Sequence, residues 1–274
     1  MEIKHIFTDM DGTLLDRGGQ LSQETITCLQ ELAIPVTLVS ARAPMEMDFA
    51  IKALGLTDIQ IAFNGGLLFQ NTASGRQLLA ESPIDFDLAS RIIYLLKCYF
   101  PQLSISWYDA ENWYSCRIDD GTRFESGLTG LLPTVTEKLA SVDRKIFKIM
   151  LITFDEIMMQ QLNNFLTELA IPGITIQRSG GFYLEITAAA AMKSTGIRYI
   201  MTKEALIPAE TAAFGDGHND IPMLREVGLP IVMDNAYPEV KAHGRYIPLP
   251  NTEDGVAHGI RRYILNQKPA AAGR

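Results

Sequence analysis

No apolar run in the chain comes near the roughly 20 residues that span a bilayer, so a membrane-spanning protein is not expected. The N-terminus also lacks a signal-peptide core: Met1-Glu2-Ile3-Lys4-His5 runs straight into a strand-like stretch. Cysteine is scarce. Cys28, Cys98 and Cys116 are odd in number and have neither CxxC nor Cys/His metal spacing, which argues against a disulfide framework or a zinc site. They are expected to be reduced core thiols in a cytoplasmic protein. Basic residues are outnumbered, 24 Lys and Arg against 32 Asp and Glu. The resulting net charge of −8 argues against generic attraction to nucleic acid and leaves a local basic patch open. There is no fixed-period repeat. The tail at 269–274 has no large apolar residue and is expected to fray.

What is present is the balance of a globular protein: 274 residues, 47% apolar and 20% charged. That length allows one large α/β domain or two modest ones. The first 70 residues alternate apolar runs with amphipathic ones. Residues 3–8, 36–39 and 59–63 read as strands. Between them, 22–32 is a helix with Ser22 as N-cap, and 44–54 is a helix opened by Pro44 and closed by Gly55. This βαβαβ order predicts a parallel sheet flanked by helices. The middle changes character, with short strands at 104–108, 113–118, 145–152, 174–177 and 183–186 and a helix at 156–169. Hairpins mixed with helices suggest an antiparallel α+β domain. After residue 190 the βα rhythm returns, with a helix at 192–204, a strand at 211–214, a helix at 220–227 and a strand at 230–233. The expected fold is therefore α/β, a Rossmann-like parallel-sheet core formed by 1–81 and 187–274. An α+β domain is inserted at 82–186.

Four constellations carry chemistry. Asp9-Met10-Asp11-Gly12-Thr13 follows the first strand directly. Two carboxylates at i and i+2 beyond a strand end can converge on one hard cation, and Gly12 permits the tight turn. Strand carboxyl ends are also where open α/β sheets bind ligands. Gly215-Asp216-Gly217-His218-Asn219-Asp220 follows a later strand and supplies a third and fourth carboxylate. Ser40-Ala41-Arg42 closes the second strand before a helix, where a hydroxyl and free amides suit a phosphate oxygen. Lys193 sits near a helix start, an unfavourable place for a cation, and makes sense there if it faces a phosphate dianion. Taken singly, each has a plainer reading: a solvated acidic turn, an N-cap aspartate, an ordinary helix cap, a surface lysine.

Together and in this order, the four resemble the motifs of the haloacid dehalogenase superfamily. Asn64-Gly65-Gly66, Glu185-Ile186 and Met233-Asp234-Asn235-Ala236 resemble its Cof-type sugar-phosphatase subfamily with a type IIB cap, and the likeness covers essentially the whole chain. Three positions depart from the common pattern. Ala41 replaces a glycine, Ala188 to Ala191 stand where a glycine is usual before the lysine, and Ser194 follows that lysine in place of glycine.

The resemblance implies a phosphatase of small phosphorylated metabolites: sugar phosphate, pyridoxal phosphate or nucleotide type. Asp9 would be the nucleophile that forms an aspartyl-phosphate, and Asp11 the general acid and base. Mg²⁺ would be held by Asp9, the Asp11 carbonyl and Asp216, with Asp220 assisting. Ser40, the Ala41 amide, Lys193 and Asn219 would hold phosphate oxygens. Arg178 and Tyr183, flanking Gly180-Gly181, and Asn64 are the candidate substrate contacts. A monomer or weak homodimer is expected. The competing readings are a phosphomutase of the same cap type and a non-catalytic phosphometabolite-binding regulator.

Overall fold

The computed structural model describes residues 2–139 and 142–266. The tail 269–274, expected to fray, lies outside them. The chain forms two compact units. The first comprises Met1–Ala41, Asp48–Leu79 and Met192–Arg274; the second comprises Arg42–Met47 and Ala80–Ala191.

The chain enters the first unit as a buried strand, β1 (His5–Thr8). Helix α1 (Gln23–Gln30) follows, its N-cap Ser22 hydroxyl accepting from the Thr25 amide at 3.0 Å. Next come β2 (Val36–Leu38), helix α2 (Pro44–Leu54) and β3 (Gln60–Ala62). β1 and β2 pair in parallel, and a parallel bridge from Val39 to Ile61 continues the order. The strand expected at 59–63 stops one residue early. Phe63 and Asn64 turn into the left-handed region at φ 51° and 56°, a conformation no strand can hold. A hairpin that the sequence pattern did not reveal follows: β4 (Leu67–Thr72) and β5 (Gly75–Glu81), giving a three-stranded sheet ordered β3-β4-β5.

The second unit opens with helix α3 (Phe86–Tyr99), also missed from the sequence, then β6 (Ser104–Tyr108) and β7 (Trp113–Ser115). The 109–112 turn between these strands is held by Asp109, whose carboxylate accepts the amides of Glu111 and Asn112 at 2.8 and 2.7 Å. Helix α4 (Asp120–Thr129), β8 (Thr134–Val135), β9 (Lys148–Ile152), helix α5 (Glu156–Glu168), β10 (Ile174–Ser179) and β11 (Tyr183–Ala188) complete it. The six strands lie in the order β10-β11-β9-β6-β7-β8 and are antiparallel except for β7 with β8. One face is apolar. Ile105, Trp107, Ile149, Leu151, Leu184 and Ile186 join α3 and α5 in a single buried cluster. By the two-residue alternation of strands, the other face carries Ser106, Tyr108, Lys148, Tyr183 and Glu185.

The chain then returns to the first unit through helix α6 (Lys193–Lys203) and β12 (Thr211–Gly215). A single helix was expected at 220–227. The structure has a 3₁₀ turn at His218–Asp220 and a four-residue helix, α7 (Ile221–Leu224). The Asp220 carboxylate draws the Asp216 and Gly217 amides onto itself at 2.9 and 2.8 Å, tightening the chain before the helix begins. β13 (Leu229–Val232) ends a parallel sheet ordered β13-β12-β1-β2, with β1 and β12 at its centre. The α/β expectation therefore holds. The expectation of three core thiols does not: Cys28 is buried, Cys116 half-buried and Cys98 exposed on α3, and all three are free. Among the described residues, no helix is long and apolar enough to cross a membrane.

Candidate active site

The carboxyl edge of the parallel sheet gathers the motif residues. β1 delivers Asp9, β12 delivers Asp216, and β2 runs into the fully buried Ser40. Pairing continues just past the strand ends. The Asp9 amide donates to the Phe214 carbonyl at 3.0 Å and the Val39 amide to the Thr8 carbonyl at 2.8 Å, fixing the backbone from which Asp9 projects. Beyond Asp9 the chain folds tightly onto itself, with the Thr13, Leu14 and Leu15 amides all directed at the Met10 carbonyl. Gly12 makes this possible. Its φ is +83°, and a Cβ there would lie inside the Asp216 carboxylate.

Asp9, Asp216 and Asp220 each offer an oxygen within 4.8 Å of the others. Lys193, the first residue of α6 and 1% exposed, donates to Asp9 and, at 2.7 Å, to Asp220. Gly65 helps to place it. Its φ is +100°, and its Cα lies so close to the Met192 main chain that a Cβ would overlap it. Thr13 donates to Asp216 at 2.7 Å, and Asn235 spans the Gly12 carbonyl at 2.8 Å and Asp216 at 3.4 Å. The Asn219 side-chain N–H donates to the Asn64 side-chain oxygen Oδ1 at 3.3 Å, so these two also come together. Asp11 is exposed, its backbone bridged to Leu15. Ala41 is not among the positive-φ residues, so alanine in place of glycine brings no backbone strain there.

The electrostatics follow from crowding. Burial, then the Asp220 charge, hold the Asp9 carboxyl well above its ordinary range against the opposing pull of Lys193. Burial chiefly raises Asp216 to about 6, opposed by the Thr13 hydrogen bond. For Lys193 burial works against the charge, but Asp220 and Asp9 outweigh it and its pKa lies above the usual lysine value. Three carboxylates against one ammonium leave an uncompensated negative charge. The donors are all hard oxygens, with no sulfur or imidazole, and Gly12 leaves room beside Asp216. The set fits a small hard divalent cation.

Two candidate substrate contacts part company. Arg178 is exposed and engaged by Glu156, with bonds of 2.9 and 2.6 Å. Tyr183 turns to the opposite side of its neighbourhood and donates to Glu125 at 2.7 Å. Thr13 and Asn235 stand inside motifs visible in the sequence, although neither had been singled out as a site residue. A buried group of Glu46, Glu125, Lys148 and Glu185 had not been anticipated either. Apart from the Glu185-Ile186 motif, its sequence signal is a charge placed among the apolar residues of β9 and of β11.

The sequence profile of the haloacid dehalogenase-like hydrolases matches residues 6–260. A protein of Streptococcus pyogenes serotype M6 named "Putative phosphatase M6_Spy0533" is 28% identical over 274 residues, covering 97% of this chain and 100% of its own. Among solved structures, a haloacid dehalogenase-like hydrolase from Bacteroides thetaiotaomicron superposes with a TM-score of 0.86 at 24% identity, over 95% of this chain and 99% of that one. The HAD subclass IIB sugar phosphatase BT4131 does so with a TM-score of 0.77 at 21% identity, over 94% and 98%. At these identities the two structures speak for the fold.

Proposed function

The chain belongs to the haloacid dehalogenase-like hydrolases and is a phosphatase, and on that premise we propose that Asp9 is its nucleophile toward a small phosphorylated metabolite. The observation that carries this reading is the buried Asp9 at the end of β1, held by Lys193 and flanked by Asp216 and Asp220. An Asp9 oxygen attacks phosphorus, the bond to the leaving oxygen breaks, and that oxygen takes a proton from Asp11. Water then attacks the aspartyl-phosphate, Asp11 receives its proton, and the phosphorus–Asp9 bond breaks. Asp11 suits this part because it is exposed and so can reach both the leaving group and water. Lys193, the Ser40 hydroxyl, the Ala41 amide and Asn219 hold the non-bridging oxygens. Mg²⁺, held by Asp9, the Asp11 carbonyl, Asp216 and Asp220, would supply charge neutralisation for the phosphoryl group.

The 82–186 segment serves in this reading as the cap that selects the alcohol, and 1–81 with 187–274 as the catalytic core. Three free cysteines suit a reducing compartment such as the cytoplasm. The test is release of inorganic phosphate from a panel of sugar phosphates, pyridoxal phosphate, nucleotides and p-nitrophenyl phosphate, with Mg²⁺ and with EDTA. Release that needs Mg²⁺ supports the reading; equal release in EDTA, or none from any ester, refutes it.

A further inference from the structure

Asp11 stands on a turn whose next residue is glycine. Gly12 lets the chain double back at a φ of +83°, and the same freedom means that the turn does not fix its own shape. The Thr13, Leu14 and Leu15 amides gather on the Met10 carbonyl and close the loop at its start. Two side chains from far along the sequence, both in the first unit, hold it further on. Asn235 donates to the Gly12 carbonyl at 2.8 Å and to the Asp216 carboxylate at 3.4 Å. The Asn251 side chain donates to the Leu15 carbonyl at 2.8 Å. The two asparagines are joined, because the Asn251 main-chain amide donates to the Asn235 side-chain oxygen at 3.0 Å. A main-chain N–H can only donate, and a carbonyl and an ionised carboxylate can only accept. The Asn235 amide therefore has one orientation, and a carboxylate of the same shape could not replace it.

The segment that carries Asn251 is itself tied down. Asn251–Glu253 is a 3₁₀ turn, and the Pro250 carbonyl accepts the Glu253 and Gly255 amides at 3.0 and 3.2 Å. Asp254 follows at φ 55°, and its carboxylate accepts from Ser22, the N-cap of α1, and from Thr25 at 3.5 Å. A Cβ on Gly255 would lie 2.1 Å from the Leu249 carbonyl oxygen, so the backbone is packed closely there. The 250–255 segment thus links the loop at Gly12 and Leu15 to the start of α1, the helix into which that loop runs.

We propose that Asn235 and Asn251 are positioning residues: they hold the 11–15 loop so that the Asp11 carboxyl keeps its place for proton transfer to the leaving oxygen. The inference rests on the role given to Asp11 above. Asn235 acts on Asp216 as well. Among the described residues, the Asn251 side chain bonds to Leu15 and to no carboxylate, so its loss isolates the effect on the loop.

The experiment measures kcat/KM, which covers the steps up to phosphoryl transfer, for p-nitrophenyl phosphate and phenyl phosphate. The two esters are close in shape, but p-nitrophenolate leaves without a proton whereas the more basic phenolate gains from one. Asp11→Asn sets the scale, with a larger loss for the phenyl ester than for the nitrophenyl ester. Asn251→Ala lowers kcat/KM about 10-fold for the phenyl ester and less than about 3-fold for the nitrophenyl ester, while Mg²⁺ affinity in calorimetric titration stays unchanged. Asn251→Asp does no better than alanine, because it sets an acceptor against the Leu15 carbonyl. Asn235→Ala shows the same split with weakened Mg²⁺ binding added. A merely structural role lowers both esters alike. Equal loss for both esters in Asn251→Ala, no loss in it, or full activity in Asn251→Asp therefore overturns the inference. If Asn235→Ala does not fold, the two Asn251 variants decide. Equal loss in Asp11→Asn takes the proton transfer away from Asp11, and this inference with it, while the phosphatase reading stands. No phosphate from either ester with the parent protein overturns this inference, and none from any ester of the wider panel overturns the phosphatase reading as well.

Discussion

Replacing Glu125 by glutamine should make the second unit more stable at neutral pH, and the gain should disappear in acid. Glu125 is 8% exposed and its carboxyl is raised from 4.5 to about 6, with burial the largest cause. A carboxyl raised on folding binds its proton more tightly in the native state. Its contribution to stability is therefore most favourable below pH 4.5 and is lost as pH rises through 6. A shift of about 1.5 units corresponds to about 2 kcal/mol at pH 8 and about 0.8 kcal/mol at pH 5. Glutamine keeps an oxygen able to accept from Tyr183 and cannot ionise, so the variant escapes the penalty. Both tryptophans of the chain, Trp107 and Trp113, lie in this unit, so their fluorescence reports its unfolding selectively. With urea slopes of about 1–3 kcal/mol/M, the midpoint should rise by about 1 M at pH 8 and by clearly less at pH 5. A shift that is the same at both pH values, or a variant less stable than the parent at pH 8, would refute the reasoning.

Two further substitutions test the packing that shapes the units. Gly12→Ala places a methyl group in the Asp216 carboxylate at a φ of +83°; phosphate release should fall at least about 100-fold, and calorimetric titration should show weakened Mg²⁺ binding. Gly121→Ala pushes α4 away from Ser104 and Ile152 and should cost about 1–3 kcal/mol in tryptophan-monitored urea unfolding.

The acidic edge of the parallel sheet was legible because its residues sit next to each other in short motifs after recognisable strands. Asp9 with Thr13 follows β1, and Asp216 with Asp220 follows β12, so strand direction alone puts them at one edge of a parallel sheet. Lys193 was readable for a different reason, as a cation at a helix start that needs an anion nearby; phosphate was the anion expected, and the partners the sequence did not announce are Asp9 and Asp220. The polar face of the second unit was not legible. Glu46, Glu125, Lys148 and Glu185 come from four separate segments: the register of β9 and β11 puts Lys148 and Glu185 on one face, and Glu46 of α2 and Glu125 of α4 reach Lys148 only through tertiary packing. The left-handed turn at Phe63 and Asn64 was hidden as well. Phe63 continues an apolar run, and the turn it begins brings Gly65 against the Met192 main chain, a contact 127 residues along the chain that no local pattern announces. Arg178 shows the converse difficulty, since nothing local marks Glu156, 22 residues away, as its partner.

The central claim is that Asp9 attacks phosphorus, and a rapid acid quench during turnover of p-nitrophenyl phosphate, followed by peptide mass spectrometry, tests it most directly. The account predicts a hydroxylamine-labile phosphoryl adduct on Asp9, with both adduct and turnover lost in Asp9→Asn. Steady turnover by Asp9→Asn, or a phosphoryl group found on another residue, would contradict it.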